Sequence, residues 1–276
     1  MLDTYEPSKA EAYWSDRLKQ TNQMAAVLSF SLPDYLNRAY SEWEIETVVK
    51  SLPELTGLRL LDVGCGVGRV TVPMAQRGAL VTAFDNSAEM LATCRANARN
   101  AGVDAHVQFE KGSADALPFG DGTFDVVLCL GVLEHLPPMV RQKALQHLIR
   151  VVRPGGTLAV VVNNEESRFL SEESRYGMSS QQDNGYFVGI IGKKNIKSFF
   201  AQHGFVVRTE GSNFFQSLIK HVGRKMNILG ESKLLPTLTE LALRLDLDFP
   251  KKGDLDAAYA DQWVISARSV AHSGKI

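Results

Sequence analysis

Cysteine is scarce in this chain. Cys65, Cys94 and Cys129 are three in 276 residues, odd in number and far apart. That argues against a disulfide framework or a metal knuckle and fits a reducing compartment. An excess of charge is missing too: 30 lysines and arginines meet 31 acids, for a formal charge of −1. No global basic field therefore draws the chain to nucleic acid, and only a local patch could. No apolar run approaches the roughly 18 residues that span a bilayer. The opening MLDTYEPSKAEAYW has early acids and no apolar stretch, so a secretory signal is not expected. Neither internal repeats nor low-complexity tracts are present. What remains is the expectation of a soluble, cytoplasmic α/β protein, long enough for one large domain with elaborations or for two small ones.

Residues 8–50 have helical patterning and many aromatics, among them Tyr13, Trp14, Phe30, Tyr35, Tyr40 and Trp43. Beyond them, strand-like and helix-like stretches alternate. LRLLDV, ALVTAFD, AHVQFEKG, FDVVLCLG and TLAVVVNN read as five strands. Helices are predicted between them at 69–77, 87–101 and 138–150, with Ser87 as an N-cap and Glu89 in the first turn of the second. RPGG, at 153–156, supplies turn chemistry before the fifth strand. KKNIKSFFAQHGFVVRTEG predicts a helix, a C-cap at Gly204 and a sixth strand, and QWVISARS, at 262–269, a last one. Such alternation predicts a doubly wound, mostly parallel sheet of Rossmann-like type. The expected organisation is a helical N-terminal cap (1–50), a core (51–211) with a long irregular loop (163–189), a helical insertion (212–261), and the last strand and tail (262–276).

The first strand runs into LLDVGCGVGRV, residues 60–70. Parallel sheets bind small molecules at the carboxyl ends of their strands, beside the point where strand order reverses. Gly64, Gly66 and Gly68 lie at that kind of place, where glycine lets a ligand approach the backbone. A plain strand-to-helix turn needs one glycine rather than three. A dinucleotide fingerprint would space them G-x-G-x-x-G, and here the third comes one residue early. Asp62, just before the loop, would repel a pyrophosphate but suits a ligand with an ammonium group. Asp85 ends the second strand, seventeen residues beyond Gly68, where a carboxylate can accept from both hydroxyls of a ribose. The ligand so inferred has a ribose at Asp85, a cation near Asp62 and no need of phosphate.

LDVGCGVG, FDNSAEML, GSADALPF and FDVVLCLGVLEHL, in that order and spacing, resemble the successive motifs of class I S-adenosylmethionine-dependent methyltransferases. The resemblance runs over residues 58–162, more weakly through 192–211, and is nearest to the ubiquinone-biosynthesis and natural-product small-molecule type. It implies a Rossmann-like fold with an antiparallel last strand, and S-adenosylmethionine as cofactor with S-adenosylhomocysteine as product. It also implies that the Gly64–Cys65–Gly66 backbone cradles the methionine part, with Asp62 near its amino group. Asp85 would take the ribose, with Asn86 beside it and Met90 against the adenine. Ser113 and Ala114 would meet the adenine edge, and the Leu130 backbone the methionine portion. Family members often carry aspartate where Ser113 stands. Serine accepts more weakly, and Asp115 either compensates or is a solvated turn residue, the latter being preferred.

Methyl transfer from a sulfonium needs donor and acceptor held in line and water kept out. A base is needed only when the acceptor must lose a proton, as a hydroxyl would. His135 is the candidate, since LEH follows the fourth strand; the alternative is a histidine that caps the next helix or touches the cofactor. GVLEHL also resembles the metal-binding stretch of small-RNA 2′-O-methyltransferases, but Gly131 stands where that pattern needs a glutamate. Two remaining ligands make a poor site, so no metal is expected. The Asn-Pro-Pro-aromatic sequence of amino-group methylation is absent, which favours O-methylation and leaves C-methylation open. RNA or protein methylation and a catalytically degenerate binding protein are the alternatives.

Outside the core, Tyr35, Asn37, Arg38 and Tyr40 are expected near the cofactor, with Arg38 pairing its carboxylate or standing solvated. Asn163 and Asn164 end the fifth strand, where an acceptor would lie. Phe169, Tyr176, Tyr186 and Phe187 in the 163–189 loop suit a lid over an apolar acceptor or serve as anchors. FFQSLIKHVGRKMNIL, residues 214–229, is amphipathic, with Phe214, Phe215, Leu218, Ile219, Val222, Met226 and Leu229 on one face. That segment reads as a cap over the acceptor, a dimer contact or a peripheral membrane contact, the first two preferred. The partner expected is a small or lipid-like methyl acceptor. The oligomeric state stays open.

Overall fold

The computed structural model describes residues 5–29, 32–164, 166–168, 192–230, 232–249, 259–260 and 262–270. Phe30, most of the 163–189 loop with its four aromatics, and the tail lie outside the described residues. Three helices come first: α1 (Pro7–Gln20), α2 (Gln23–Val27) and α3 (Asp34–Ser51). Proline at the start of α1 loses no hydrogen bond there, and Asn22 caps α2 by accepting from the Ala25 N–H. The core then alternates as β1 (Arg59–Val63), α4 (Thr71–Gln76), β2 (Leu80–Asp85), α5 (Ala88–Asn100), β3 (Val107–Lys111), β4 (Phe124–Cys129), α6 (Pro138–Val151) and β5 (Val152–Asn163). It closes with α7 (Lys193–Gln202), β6 (Phe205–Ser212), α8 (Phe214–Lys225), α9 (Leu235–Asp248) and β7 (Gln262–Ser269).

The seven strands form one sheet in the order β3-β2-β1-β4-β5-β7-β6. β1 to β5 pair in parallel, and β7 runs antiparallel between β5 and β6. The order reverses between β1 and β4, and a binding crevice belongs at their carboxyl ends. Successive residues of β4 and β5 are apolar on both faces because both faces are covered. Val127, Cys129, Leu158, Val160 and Val162 pack with α6 and α7, while Val126, Leu128, Ala159 and Val161 pack with α3, α4, α5 and α9.

Two sequence expectations are corrected. Ala105 and His106, the first two residues of the third strand segment, belong to a turn of 3-10 helix, so β3 begins only at Val107. The RPGG turn lies inside β5 as an irregularity: Phe124 pairs with Val152 but Val126 with Thr157. Ser87 does cap α5, accepting from the Met90 N–H at 3.2 Å, and Gly204 does end α7 with φ of +80°. Leu148 of α6 is fully buried against the sheet. Leu148→Ala should therefore lower unfolding free energy by about 2–5 kcal/mol, as measured by urea denaturation; a loss under about 1 kcal/mol would contradict this packing.

Candidate cofactor site

β1 ends against a backbone that folds on itself. Gly64 has φ of +74°, and a Cβ on it would lie 2.2 Å from Cγ2 of Val132 in the loop after β4. Gly68 has φ of +85°, and its missing Cβ makes room for Sγ of Cys94 on α5. The first glycine thus brings the β1 loop against the β4 loop, and the third brings it against α5. Both the Gly64 and Cys65 N–H groups donate to the Phe84 carbonyl, at 2.7 and 3.1 Å. Asp85 completes the clamp: Oδ2 accepts from the Gly66 N–H and Oδ1 from the Ser87 N–H, each at 2.9 Å.

Above this clamp lies a cavity whose walls include Asp62, Gly64, Cys65, Gly66, Asp85, Asn86, Met90, Ser113, Ala114, Leu130 and His135. The fold thus brings together the eleven residues that the strand-end motifs offered as cofactor-binding or catalytic. Asp62 lies beneath the loop, where Thr71 of α4 donates to its Oδ2 at 2.6 Å. Desolvation pushes its carboxyl up to about 6, against the Thr71 hydrogen bond and the Arg69 charge, which pull it down. Asp85 keeps an edge toward the cavity, yet desolvation dominates and raises it too, against three backbone N–H groups. Two acids withdrawn from water beside one cavity favour a cationic occupant. That observation fits S-adenosylmethionine, which has an ammonium and a sulfonium.

The cap closes the site. Tyr5, Ala10 and Trp14 from α1 and its approach, with Val27 of α2, line the same cavity. α1 is fastened to the core where Ser15 donates to Glu89 at 2.7 Å, Asn86 donates to the Pro7 carbonyl at 3.3 Å, and Lys111 pairs with Glu11 at 2.5 Å. The Tyr5 phenol is hydrogen-bonded with Ser113, and burial raises its pKa. Sequence reading placed aromatics here but did not single out Tyr5, Trp14 or Val27, because helical periodicity carries no sign of what a helix covers. Arg69, whose ion pair with Glu44 at 2.6 Å is buried, also lines the cavity and was missed.

His135 ends a single 3-10 turn after β4, with its ring edge-on to Trp14 at 5.0 Å. Arg141 of α6 fixes that turn, donating to the carbonyls of Leu133 at 2.9 Å and Leu136 at 3.0 Å. Glu134 turns away from the cavity wall. It is buried, its Oε2 has no hydrogen-bond partner, and desolvation pushes its carboxyl up to about 7. Among the described residues no group of three or more His, Cys, Asp or Glu side chains could hold a metal ion.

Several outlying expectations are corrected. Tyr35, Asn37, Arg38 and Tyr40 do not line the cavity. Tyr35 donates to the Leu229 carbonyl at 2.8 Å, Asn37 donates to the carbonyls of Ser29 and Leu32, Tyr40 is buried under Lys220, and Arg38 is exposed. Asn164 holds the Ala260 carbonyl at 2.8 Å, joining the end of β5 to the approach to β7. Asp115 is not merely solvated, because Ser113 donates to it at 2.5 Å.

The methyltransferase domain family matches residues 60–156, which hold β1, the glycine loop, Asp85 and the β4 turn. Within these residues the chain carries a methyltransferase domain. A 27-O-demethylrifamycin SV methyltransferase from Amycolatopsis mediterranei is 40% identical over 110 residues, 40% of each chain. A ubiquinone biosynthesis O-methyltransferase from Sinorhizobium fredii is 37% identical over 115 residues, 42% of this chain and 45% of its own. The match thus spans about two fifths of these relatives. Among solved structures, the [4+2]-cyclase SpnF superposes with a TM-score of 0.63 over 96% of this chain and 97% of its own, at 18% identity, which speaks for the fold alone.

Two measurements test the geometry of the methyltransferase site. Asp85→Ala should weaken S-adenosylmethionine binding by about 1.5–3 kcal/mol in calorimetry, the scale of hydrogen bonds to charged groups; unchanged affinity would remove the ribose role. A bound cation favours the ionised form of Asp62, so affinity should hold above pH 7 and fall as pH drops through about 6. About a tenfold loss is expected by pH 5, and it should flatten in Asp62→Asn. A level wild-type profile would show that Asp62 is insensitive to the ligand.

Proposed function

We propose that the protein transfers the methyl group of S-adenosylmethionine to an oxygen of a small or lipid-like molecule. The observation that carries this reading is one cavity with two kinds of lining. The carboxylates Asp62 and Asp85 line it beside the glycine loop, and His135, with its ring against Trp14, lines it together with the apolar Val132 and Leu136. The first lining suits a charged amino acid and a ribose; the second suits an apolar acceptor that presents a hydroxyl. The O-methyltransferase relatives support oxygen as the acceptor atom.

When bound, the cofactor supplies an electrophilic methyl carbon on a positively charged sulfur. The protein's share is placement. Gly64, Cys65 and Gly66 hold the methionine part, and Asp85 the ribose, with Asn86 and Met90 beside the nucleoside. Ser113 and Ala114 take the adenine edge, and the Leu130 backbone meets the methionine portion. Trp14 and Tyr5 keep water out, which favours an in-line displacement that disperses charge. His135 accepts the acceptor's hydroxyl proton at a ring nitrogen, and the Trp14 edge holds the plane of that ring. No metal takes part in this reading. A reducing, cytoplasmic setting with contact at a membrane surface through 214–229 would suit a lipid-like acceptor. No helix among the described residues is long and apolar enough to cross a membrane.

The test uses radiolabelled S-adenosylmethionine and a host-cell extract, separated after reaction into lipid, aqueous small-molecule, RNA and protein fractions. Label should enter the lipid or small-molecule fraction and resist mild acid, as an ether does. His135→Ala should lower transfer by about 10²-fold or more while cofactor affinity stays within twofold. Label in RNA or protein would overturn the acceptor class. Cofactor binding without any labelled product would favour a degenerate domain.

A further inference from the structure

Helix α8 is apolar on more than one side. It buries Phe214, Gln216, Ser217 and Gly223, while Leu218, Val222 and Met226, at four-residue spacing, are 37%, 42% and 62% exposed. The reason is local. Leu229 lies where a Cβ on Gly223 would be, with Leu235 close by, so the chain after α8 folds back over its small-residue side. Asp246 of α9 then fixes α8 by accepting from the N–H groups of Phe215 and Gln216, at 2.9 and 3.0 Å. The apolar stripe is left outward. Of the ten large apolar side chains exposed among the described residues, six lie between residues 214 and 249. A soluble surface rarely gathers so many unless something covers them.

Charge says what covers them. Residues 214–234 contain Lys220, Arg224, Lys225 and Lys233 against one acid, Glu231, in a chain whose total charge is −1. Lys220 lies over the Tyr40 ring and so helps seat α8 on α3. Arg224, Lys225 and Lys233 are exposed, and neither Lys225 nor Lys233 has an ion pair among the described residues. An outward apolar stripe with exposed cations on the same helix and its following turn is the pattern of a helix lying in an anionic lipid interface. A second copy of this chain would bring the same cations against each other. The cavity is lined by no residue of α8, so the stripe is not its wall.

We infer that α8 and the turn after it are a docking surface for an anionic bilayer, with Leu218, Val222 and Met226 entering the interface and Lys225 and Lys233 meeting lipid phosphates. This goes beyond the proposed methyl transfer and does not depend on it, since a bilayer contact leaves the acceptor atom undetermined.

The full-length protein is floated with vesicles of phosphatidylcholine alone, or containing about one third phosphatidylglycerol. It should float with the anionic vesicles, weaken as salt shortens the screening length, and remain behind with phosphatidylcholine alone. Lys225→Gln with Lys233→Gln should weaken partitioning about 25-fold, near fivefold for each cation lost. Leu218→Ser, Val222→Ser and Met226→Gln together should abolish flotation. Every variant should keep its thermal stabilisation by S-adenosylmethionine, which verifies the fold and the cofactor site separately. Absence of wild-type flotation, equal flotation with both vesicle types, or unaltered flotation of the variants would each overturn the inference. So would a salt-resistant dimer that the apolar variant dissociates, since the stripe would then belong to a second copy.

Discussion

Asp62 and Asp85 are carboxylates withdrawn from water at the ends of neighbouring strands, and the rest of the site is arranged around keeping them there. Burial raises both, so each needs fixed donors: the Thr71 hydroxyl for one, the Gly66 and Ser87 N–H groups for the other. Those donors exist only because the glycine loop turns back over β2 and because α4 and α5 start where they do. The two carboxylates thus leave the cavity with a preference for a cationic occupant. Such a pocket favours a sulfonium over a neutral ligand, which is in keeping with the proposed methyl transfer from S-adenosylmethionine.

The β4 turn depends on the same arrangement. Val132 occupies the space left by the Gly64 hydrogen, so the loop after β4 packs on the glycine loop and presents His135 to the cavity. Arg141 then holds the carbonyls of the turn from α6. Buried Glu134, with one oxygen unpartnered, is a cost within this turn. It is the kind of local exception that folded proteins keep near working sites.

How much of this was legible beforehand depended on the range of the interaction. Asp62, the glycines, Asp85, Ser113 and His135 lie at strand ends, and strand ends follow from short apolar runs and turn residues. A parallel sheet brings such ends together, so local pattern and topology sufficed for Asp62, the glycines, Asp85 and His135, while Ser113 was implied by the resemblance to the methyltransferase motifs. Ser87 as a cap was legible for the same reason, since its partner is three residues away. Tyr35 and Tyr40 were misjudged because their partners, the Leu229 carbonyl and the Lys220 ammonium, are brought in by tertiary packing, while Asn37 is taken up by the Ser29 and Leu32 carbonyls of the connection just before it.

The sequence by itself determined the alternating α/β core, the reversal point and the chemical character of the cofactor pocket, because those rest on periodicity and on residues near in the chain. Tertiary structure decided which helices close the pocket and which way amphipathic faces point. Tyr5 and Trp14 reach the site only after α1 docks on α5 and β3, through contacts about 70 to 100 residues apart. The outward turn of Leu218, Val222 and Met226 likewise depends on Leu229 folding over Gly223 and on Asp246 holding the start of α8. A hydrophobic pattern says that a face is apolar; only the neighbours that pack on the other side say whether it points in or out.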